Sequence, residues 1–197
     1  MSVTTVFDVA TALIEKSGQT TISTVKLQKL CFYSFGWYAH LTGEHLFPEA
    51  FYAMEKGPVV GELLSAHAGQ REVGHDALMA QLAERDGFQG DLGAYVEQVL
   101  DAIWRYYGSK DPWTLVELTH QDEVWKDSWS SRPAGSRRGD MPQQDIIDFF
   151  LGQTSPREMD LPLSLISFVS QTDVDKIESA GFSNSFVADV RRLRAAQ

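Results

Sequence analysis

The segment between Ser23 and Gly43 constrains the fold more than any other part of the sequence. Ser23 or Thr24 can cap the start of a helix here, and Gly43 can end it. One apolar stripe at helical spacing consists of Leu27, Leu30, Phe35 and Tyr38. Aromatic residues lie on more than one side, namely Phe32, Tyr33, Phe35, Trp37 and Tyr38. A helix that is aromatic on several sides is surrounded by other elements, so the sequence predicts a long central helix.

Other amphipathic stretches predict that helices make up most of the chain. They are a first helix that stops at Gly18, residues 59–67, a short helix after His75-Asp76 closed by Gly87, one from Asp91 to Gly108, one beginning at Asp111-Pro112, a short one within residues 120–129 and one opened by Pro142. Residues 51–54 are too short for a helix. The predicted fold class is therefore mainly α, a compact helical domain with a short strand-like connection near residues 50–54 and a C-terminal helical extension.

The second half of the sequence suggests where this domain ends. Residues 130–139 are rich in Gly, Ser, Pro and Arg, so we expect a loop that is mobile in the unbound protein. We predict a domain over residues 1–152, a linker over 153–162 and an appended module over 163–197. The module is expected to contain helices at 163–169 and 173–194, the second interrupted near Gly181.

Charge and hydropathy exclude several classes of protein. The formal net charge is −10 at pH 7, and residues 61–127 hold 13 acidic against 5 basic side chains. Such a field repels phosphate and favours a basic protein partner, which argues against direct nucleic-acid binding. The sequence has neither a signal-peptide pattern at its start nor an apolar run of membrane-spanning length, so we expect a cytoplasmic protein. Cys31 lies in the apolar helix and predicts a buried small residue.

The sequence contains none of the spacings that catalytic or metal sites require. The five histidines are His40, His45, His67, His75 and His120, and no pair has HExxH spacing. A nucleophile elbow is absent, and Lys56-Gly57-Pro58-Val59 is typical of a helix start, not of a phosphate loop. We therefore predict no catalytic residues, no metal, no cofactor and no enzyme activity.

Three separated segments carry a resemblance to a known family. They are Lys26-Leu27-Gln28-Lys29-Leu30 with the aromatics that follow, Phe51-Tyr52-Ala53-Met54-Glu55-Lys56-Gly57-Pro58-Val59, and Leu118-Thr119-His120 with Trp125. At these residues the chain resembles the Panacea domain of SocA-like antitoxins, found in bacteria and phages. Phe32 and Met54 stand where the family often has tyrosine and tryptophan, and both keep a large apolar group. The resemblance covers about residues 5–151.

The resemblance implies a helical antitoxin that neutralises a cognate protein toxin, typically encoded by the adjacent gene, through direct contact. Two alternatives stay open. One is a proteolytic adaptor or phage-borne regulator that delivers a client to a protease, as one branch of the family resembles. The other is a hydrolase whose site the sequence does not reveal. The appended helices could add specificity or form a homodimer.

The same resemblance supplies candidates for contact with the toxin. They are Lys29, Tyr33, Trp37, Tyr52, Glu55, Lys56, Gly57, Pro58, His120 and Trp125. Tyr33 and Trp37 are residues that any packed helical core would contain. Lys29, Glu55, Lys56 and His120 are the preferred contact candidates, because polar side chains have no packing reason to occur there. We expect the aromatic helix to be a scaffold, with the Gly57-Pro58 turn and the 130–139 loop presenting polar contacts.

Overall fold

Helices dominate the part of the chain that this computed structural model describes, residues 4–82 and 92–166. The helices in these residues are α1 (Val6–Ser17), α2 (Thr24–Thr42), α3 (Gly61–Ala66), α4 (His75–Leu82), α5 (Ala94–Tyr107), α6 (Pro112–Thr119), α7 (Glu123–Ser130) and α8 (Gln143–Leu151). The strands are β1 (Thr21–Ser23), β2 (Phe51–Met54), β3 (Gly57–Val60), β4 (Glu72–Gly74) and β5 (Arg138–Met141). The described part of the chain is thus mainly helical, as predicted, with two small antiparallel sheets.

Helix α2 lies at the centre of the structure. The Ser23 side chain accepts a hydrogen bond from the Lys26 amide at its start, and Gly43 ends it in the left-handed conformation with φ of 72°. Helices α1, α5, α6 and α8 and strand β3 all pack against it. Its buried residues therefore lie on every side of the helix, which confirms the prediction of a central helix.

Strands β3, β2 and β5 form an antiparallel sheet in that order. Tyr52 pairs with Val59 on one side and with Asp140 on the other. The prediction of an extended segment near residues 50–54 is confirmed. The predicted helix at 59–67 is wrong at its start, because Pro58 and Val59 belong to β3 and α3 begins at Gly61. Pro58 lacks an amide donor, and its place on an edge strand tolerates that loss.

The expected loop at 130–139 is wrong at its end. Arg138 and Gly139 belong to strand β5, which pairs with β2. Gly139 lets this strand approach helix α7 closely, because a Cβ there would lie 2.1 Å from the Ser128 carbonyl oxygen. Arg132 donates hydrogen bonds to the Trp129 and Ser136 carbonyl oxygens within the remaining connection. The mobility of this loop stays a prediction.

The remaining C-terminal predictions fall mostly outside the described residues. The chain divides into units Met1–Ser164 and Leu165–Gln197. Residues 163–166 have no regular secondary structure, and the rest of the two helices predicted at 163–169 and 173–194 lies beyond the described part. Met159, within the predicted linker, is buried in the core of the first unit.

Two predicted helix boundaries, Gly87 and Asp91, also lie outside the described residues, and the described helix α5 begins after Gly93. No helix in the described part is long and apolar enough to cross a membrane.

Candidate partner-binding site at the β2–β3 turn

The turn between β2 and β3 is the place where the three sequence motifs meet. From α2, the Lys29 ammonium nitrogen Nζ donates to the Pro58 carbonyl oxygen at 2.8 Å. From α7, the Trp125 indole Nε1 donates to the Met54 carbonyl oxygen at 3.1 Å. The α6 motif contributes Thr119 and His120, which lie beneath the turn. Residues that are far apart in the sequence therefore hold one short turn in place.

Gly57 of the turn lies close to side chains from two of the other motif segments. Its φ is 93°, in the left-handed region that favours glycine. A Cβ at this position would lie 2.5 Å from Thr119 Oγ1 and 2.9 Å from Lys29 Nζ. Both distances are shorter than van der Waals contact. Glycine is therefore required at position 57 both by the positive φ and by the closeness of the Thr119 and Lys29 side chains.

Lys29 is buried, with only 1% of its surface exposed. Burial lowers the pKa of its ammonium group from 10.5 to about 7. The expectation that Lys29 has no packing reason to occur is wrong, because its ammonium group supports the turn from inside the protein. Contact between Lys29 and a partner stays a prediction.

His120 begins a row of stacked side chains that runs beside the turn. Its imidazole lies over the Trp125 ring at 4.0 Å between centroids and 16° between planes. Trp125 in turn stacks on Trp129 at 6.0 Å, and the Arg132 guanidinium lies 3.6 Å from the centre of the Trp129 ring. Burial lowers the His120 pKa, and the Lys29 charge lowers it further. The stacking packs His120 beside the turn, and contact between His120 and a partner stays a prediction.

The outer side of the turn presents exposed side chains. Glu55 and Lys56 are exposed, and the Lys56 ammonium group lies 5.2 Å from the centre of the Trp113 ring. Trp113 itself is 58% exposed. Its helix is capped by the Asp111 carboxylate, which accepts from the Trp113 and Thr114 amides at 2.9 and 3.1 Å. We call Glu55, Lys56 and Trp113 the turn surface.

Trp113 was not among the residues predicted from the sequence. The sequence nevertheless carries a signal for it. Trp113 is a large aromatic residue directly after Asp111-Pro112, and it lies outside the apolar stripe formed by Leu115, Leu118 and Thr119. A tryptophan that leaves the apolar stripe at the start of a helix has no intrahelical reason to be buried. That pattern marks it as a surface aromatic residue.

Tyr33 and Trp37 lie away from the turn, on the side of α2 that packs against α5. Each is 4% exposed. The Tyr33 ring stacks on Tyr107 at 4.2 Å, and the Trp37 indole donates to the Tyr107 hydroxyl at 3.1 Å. Asp122 lies beside Tyr33, and burial raises the pKa of this carboxyl to about 7. These contacts agree with core packing, and toxin contact by Tyr33 or Trp37 stays a prediction.

Tyr52 occupies a third place, on the outer face of the three-stranded sheet. Its half-buried ring lies against Gly61, where a Cβ would come within 2.7 Å of the Tyr52 ring. The Arg138 guanidinium lies 4.4 Å from the ring centre. The sequence candidates are thus distributed over the turn, the sheet face and the α2–α5 interface, with Lys29, Glu55, Lys56, Gly57, Pro58, His120 and Trp125 brought together at the turn.

Comparison with known proteins identifies a family for this chain. No curated protein and no solved structure matches the chain. Within residues 4–82 and 92–166, no three His, Cys, Asp or Glu side chains are grouped so that they could hold a metal ion. The family model described as "Antitoxin SocA-like, Panacea domain" matches residues 27–126, just over half of the chain. This range includes Lys29, the β2–β3 turn and the segment from His120 to Trp125. The chain therefore belongs to the family of SocA-like antitoxins with a Panacea domain.

Proposed function

We propose that this protein is an antitoxin that neutralises a cognate protein toxin by direct binding, and that the turn surface makes part of the contact. The observation that carries the proposal is the convergence of the family's three motifs on one turn. The buried members of these motifs hold the turn, Glu55 and Lys56 extend from it into solvent, and the exposed Trp113 of α6 lies beside Lys56. In this proposal the protein acts by binding and catalyses no reaction.

The chemistry of the turn surface suits a protein interface. Tryptophan is enriched among the residues that contribute most to protein binding energy. The Trp113 ring is already covered on one side by the Lys56 ammonium, which limits its motion before binding. Since the turn is fixed from two helices, little backbone order has to be gained on association. The net charge of −10 favours a toxin with a basic surface.

Co-expression with the product of the adjacent gene tests the proposal. The wild-type chain should restore growth of cells that the neighbouring product inhibits, and Trp113→Ala should lose most of this rescue without a change in melting temperature. Leu151→Ala is the matched control, since Leu151 is an exposed apolar residue on α8, distant in sequence from the turn. A wild-type chain that leaves the toxicity unchanged would rule out the antitoxin function.

The half-life of the toxin distinguishes occlusion from delivery to a protease. A toxin that is only covered by the antitoxin keeps the turnover that it shows alone. A shortened half-life in the presence of this chain, dependent on a cellular protease, would instead support an adaptor that marks the toxin for degradation.

A further inference from the structure

A cavity of about 230 Å³ opens beside the β2–β3 turn, between α2, the turn and the end of α3. It has room for about eight water molecules, which is the scale of one side chain and not of a large cofactor. Its apolar walls include Val25, Val59 and Leu64, and its polar lining includes Gln28, Lys29 and His67. We call this cavity the Lys29 pocket. Lys56 lines its rim and also lies over Trp113, so the pocket and the turn surface are contiguous.

Three of the four buried polar residues that line the pocket already have partners. The Thr24 hydroxyl donates to the Gln70 carbonyl oxygen at 3.1 Å. The Gln28 side-chain oxygen accepts from the Val60 amide at 2.8 Å, and the Gln28 amide nitrogen lies 3.0 Å from His67 Nε2. These contacts satisfy the groups that burial would otherwise leave unpaired. Gln28 and His67 therefore form a fixed lining, and they leave Lys29 as the group with unused hydrogen-bonding capacity.

The Lys29 ammonium has three N–H donors. Among the described residues, its hydrogen-bond acceptor is the Pro58 carbonyl oxygen. Two donors are thus left without a protein acceptor, on a side chain that is 1% exposed. A buried charge is costly unless it is paired and its donors are used. Lys29 therefore has unused hydrogen-bonding capacity next to the pocket that it lines.

We propose that the Lys29 pocket receives an aspartate or glutamate side chain of the bound toxin. This inference rests on the proposed function, because it names the chemistry of one contact in that interface. A carboxylate offers two oxygens and no donor, which complements two open N–H groups of an ammonium ion. The methylene stem of the acid would lie against Val25, Val59 and Leu64. A free phosphate group has no such stem.

The electrostatic surroundings of Lys29 agree with this occupant. The groups around it are His67, His120, Glu55 and Lys56, and Glu55 is the acidic one among them. Glu55 is exposed at the rim and makes no hydrogen bond to Lys29. Burial holds the Lys29 pKa at about 7 in the free protein. An incoming carboxylate favours the charged ammonium, so binding should raise this pKa.

The test uses the full-length, isotopically labelled protein and a small probe, isovalerate, with its neutral isostere isovaleramide as the matched control. Isovalerate should produce saturable NMR shifts at the Gln28, Lys29 and Val59 amides, and isovaleramide should bind at least tenfold more weakly. The titration midpoint of the Lys29 Cε resonance should move to higher pH in the presence of isovalerate. Equal binding of the two probes, or no perturbation by isovalerate at any soluble concentration, would overturn the proposal.

Variants separate the ammonium from the shape of the pocket. Lys29→Met keeps the length of the side chain and should lose isovalerate binding. Lys26→Met is the control, because Lys26 lies on the same helix and its ammonium donates to the Gly108 carbonyl oxygen, away from the pocket. Val25→Trp narrows the pocket and keeps Lys29, so it should also abolish binding even if Lys29→Met does not fold. Unchanged isovalerate binding in Val25→Trp would contradict the assignment.

The co-expression assay then distinguishes this proposal from the antitoxin function. If the wild-type chain neutralises the toxin and Lys29→Met or Val25→Trp loses that ability while staying folded, both proposals are supported. If both variants neutralise as well as the wild type does, the pocket has no toxin side chain in it and the antitoxin function is retained. A wild-type chain that neutralises nothing removes the function and the toxin as occupant together.

Discussion

Lys29 places an ionisable group where burial opposes its charge, which gives the stability of the protein a defined pH dependence. The unfolded chain keeps the Lys29 proton up to a pKa of 10.5, and the folded chain releases it at about 7. Between these values the unfolded state binds more protons, so folding becomes more favourable as pH rises. The contribution is on the order of 1 kcal/mol per pH unit.

We therefore predict that the unfolding free energy of the wild type, measured by urea titration relative to Lys29→Met, increases between pH 7 and pH 10. Lys29→Met has no amine at this position. Subtracting its unfolding free energy from that of the wild type therefore cancels the pH dependence that comes from the other titratable groups. Lys110→Met, in which a lysine whose ammonium lies 4.8 Å from the centre of the Tyr106 ring is replaced, should show the wild-type profile. A difference between wild type and Lys29→Met that stays constant over this range would contradict the prediction.

Substitution of Gly57 tests whether the turn needs both a residue with positive φ and a residue without a side chain. Gly57→Ala should destabilise the protein by about 2–4 kcal/mol, because the strain of a left-handed alanine adds to a collision in a packed site. Gly69→Ala is the matched control, since Gly69 has φ of 77° with nothing within 4 Å of its Cβ position. It should cost only about 1–2 kcal/mol. Equal losses in thermal or urea unfolding would mean that the contact with Thr119 and Lys29 contributes nothing.

At the scale of elements, the β2–β3 hairpin depends on helix α7 for a hydrogen bond at its end. Trp125→Phe keeps an aromatic ring against His120 and removes the donor to the Met54 carbonyl oxygen. We expect a loss of about 1–2 kcal/mol in unfolding free energy and faster amide exchange in the turn. Trp113→Phe, at a tryptophan that is 58% exposed, should change stability by less than about 0.5 kcal/mol. Similar losses in the two variants would contradict this role of Trp125.

The helices were predictable because their signals are local. Thr5 forms a capping box with Asp8 at the start of α1, and Gly18 ends that helix with φ of 63°. Asp111-Pro112 likewise begins α6, and Pro142 precedes α8. In each case the residues that define a boundary lie within one turn of it, so the sequence carries the information without knowledge of the fold.

The strands β1, β4 and β5 were not predicted, because three or four residues are too few for a periodic pattern. Their partners are also distant along the chain: Ile22 pairs with Val73, and Met54 pairs with Arg138. Pro58 illustrates the remaining ambiguity, since a proline suits both a helix start and an edge strand. The convergence of the motifs on the turn and the burial of Lys29 depend on this tertiary pairing. The sequence therefore identified the motif positions but not which of their side chains are buried.

At the scale of the whole first unit, α2 is the element through which the others are connected. Helices α1, α5, α6 and α8 contact it directly, and the sheet contacts it through β3. The buried aromatic residues Phe32, Phe35 and Phe150 join these contacts, with ring centroids 5.6 Å apart between Phe32 and Phe150. An opening that exposes the α2 backbone must therefore separate most of the core.

This arrangement predicts a hierarchy in native-state hydrogen exchange. Amides in the middle of α2, from Leu30 to Phe35, should exchange only through global unfolding, and their opening free energy should equal that from urea unfolding. Ile22 and Val73 pair in a sheet of two three-residue strands, so their amides should open locally with a lower free energy.

Phe150→Ala removes a buried ring that packs from α8 against α2. It should lower the opening free energy of the α2 amides by about 3–5 kcal/mol, the same amount by which it lowers global stability. It should leave the exchange of Ile22 and Val73 unchanged wherever that exchange is local. Exchange of the α2 amides through an opening clearly smaller than global unfolding would show that α2 is not the element on which the cooperativity of this domain depends.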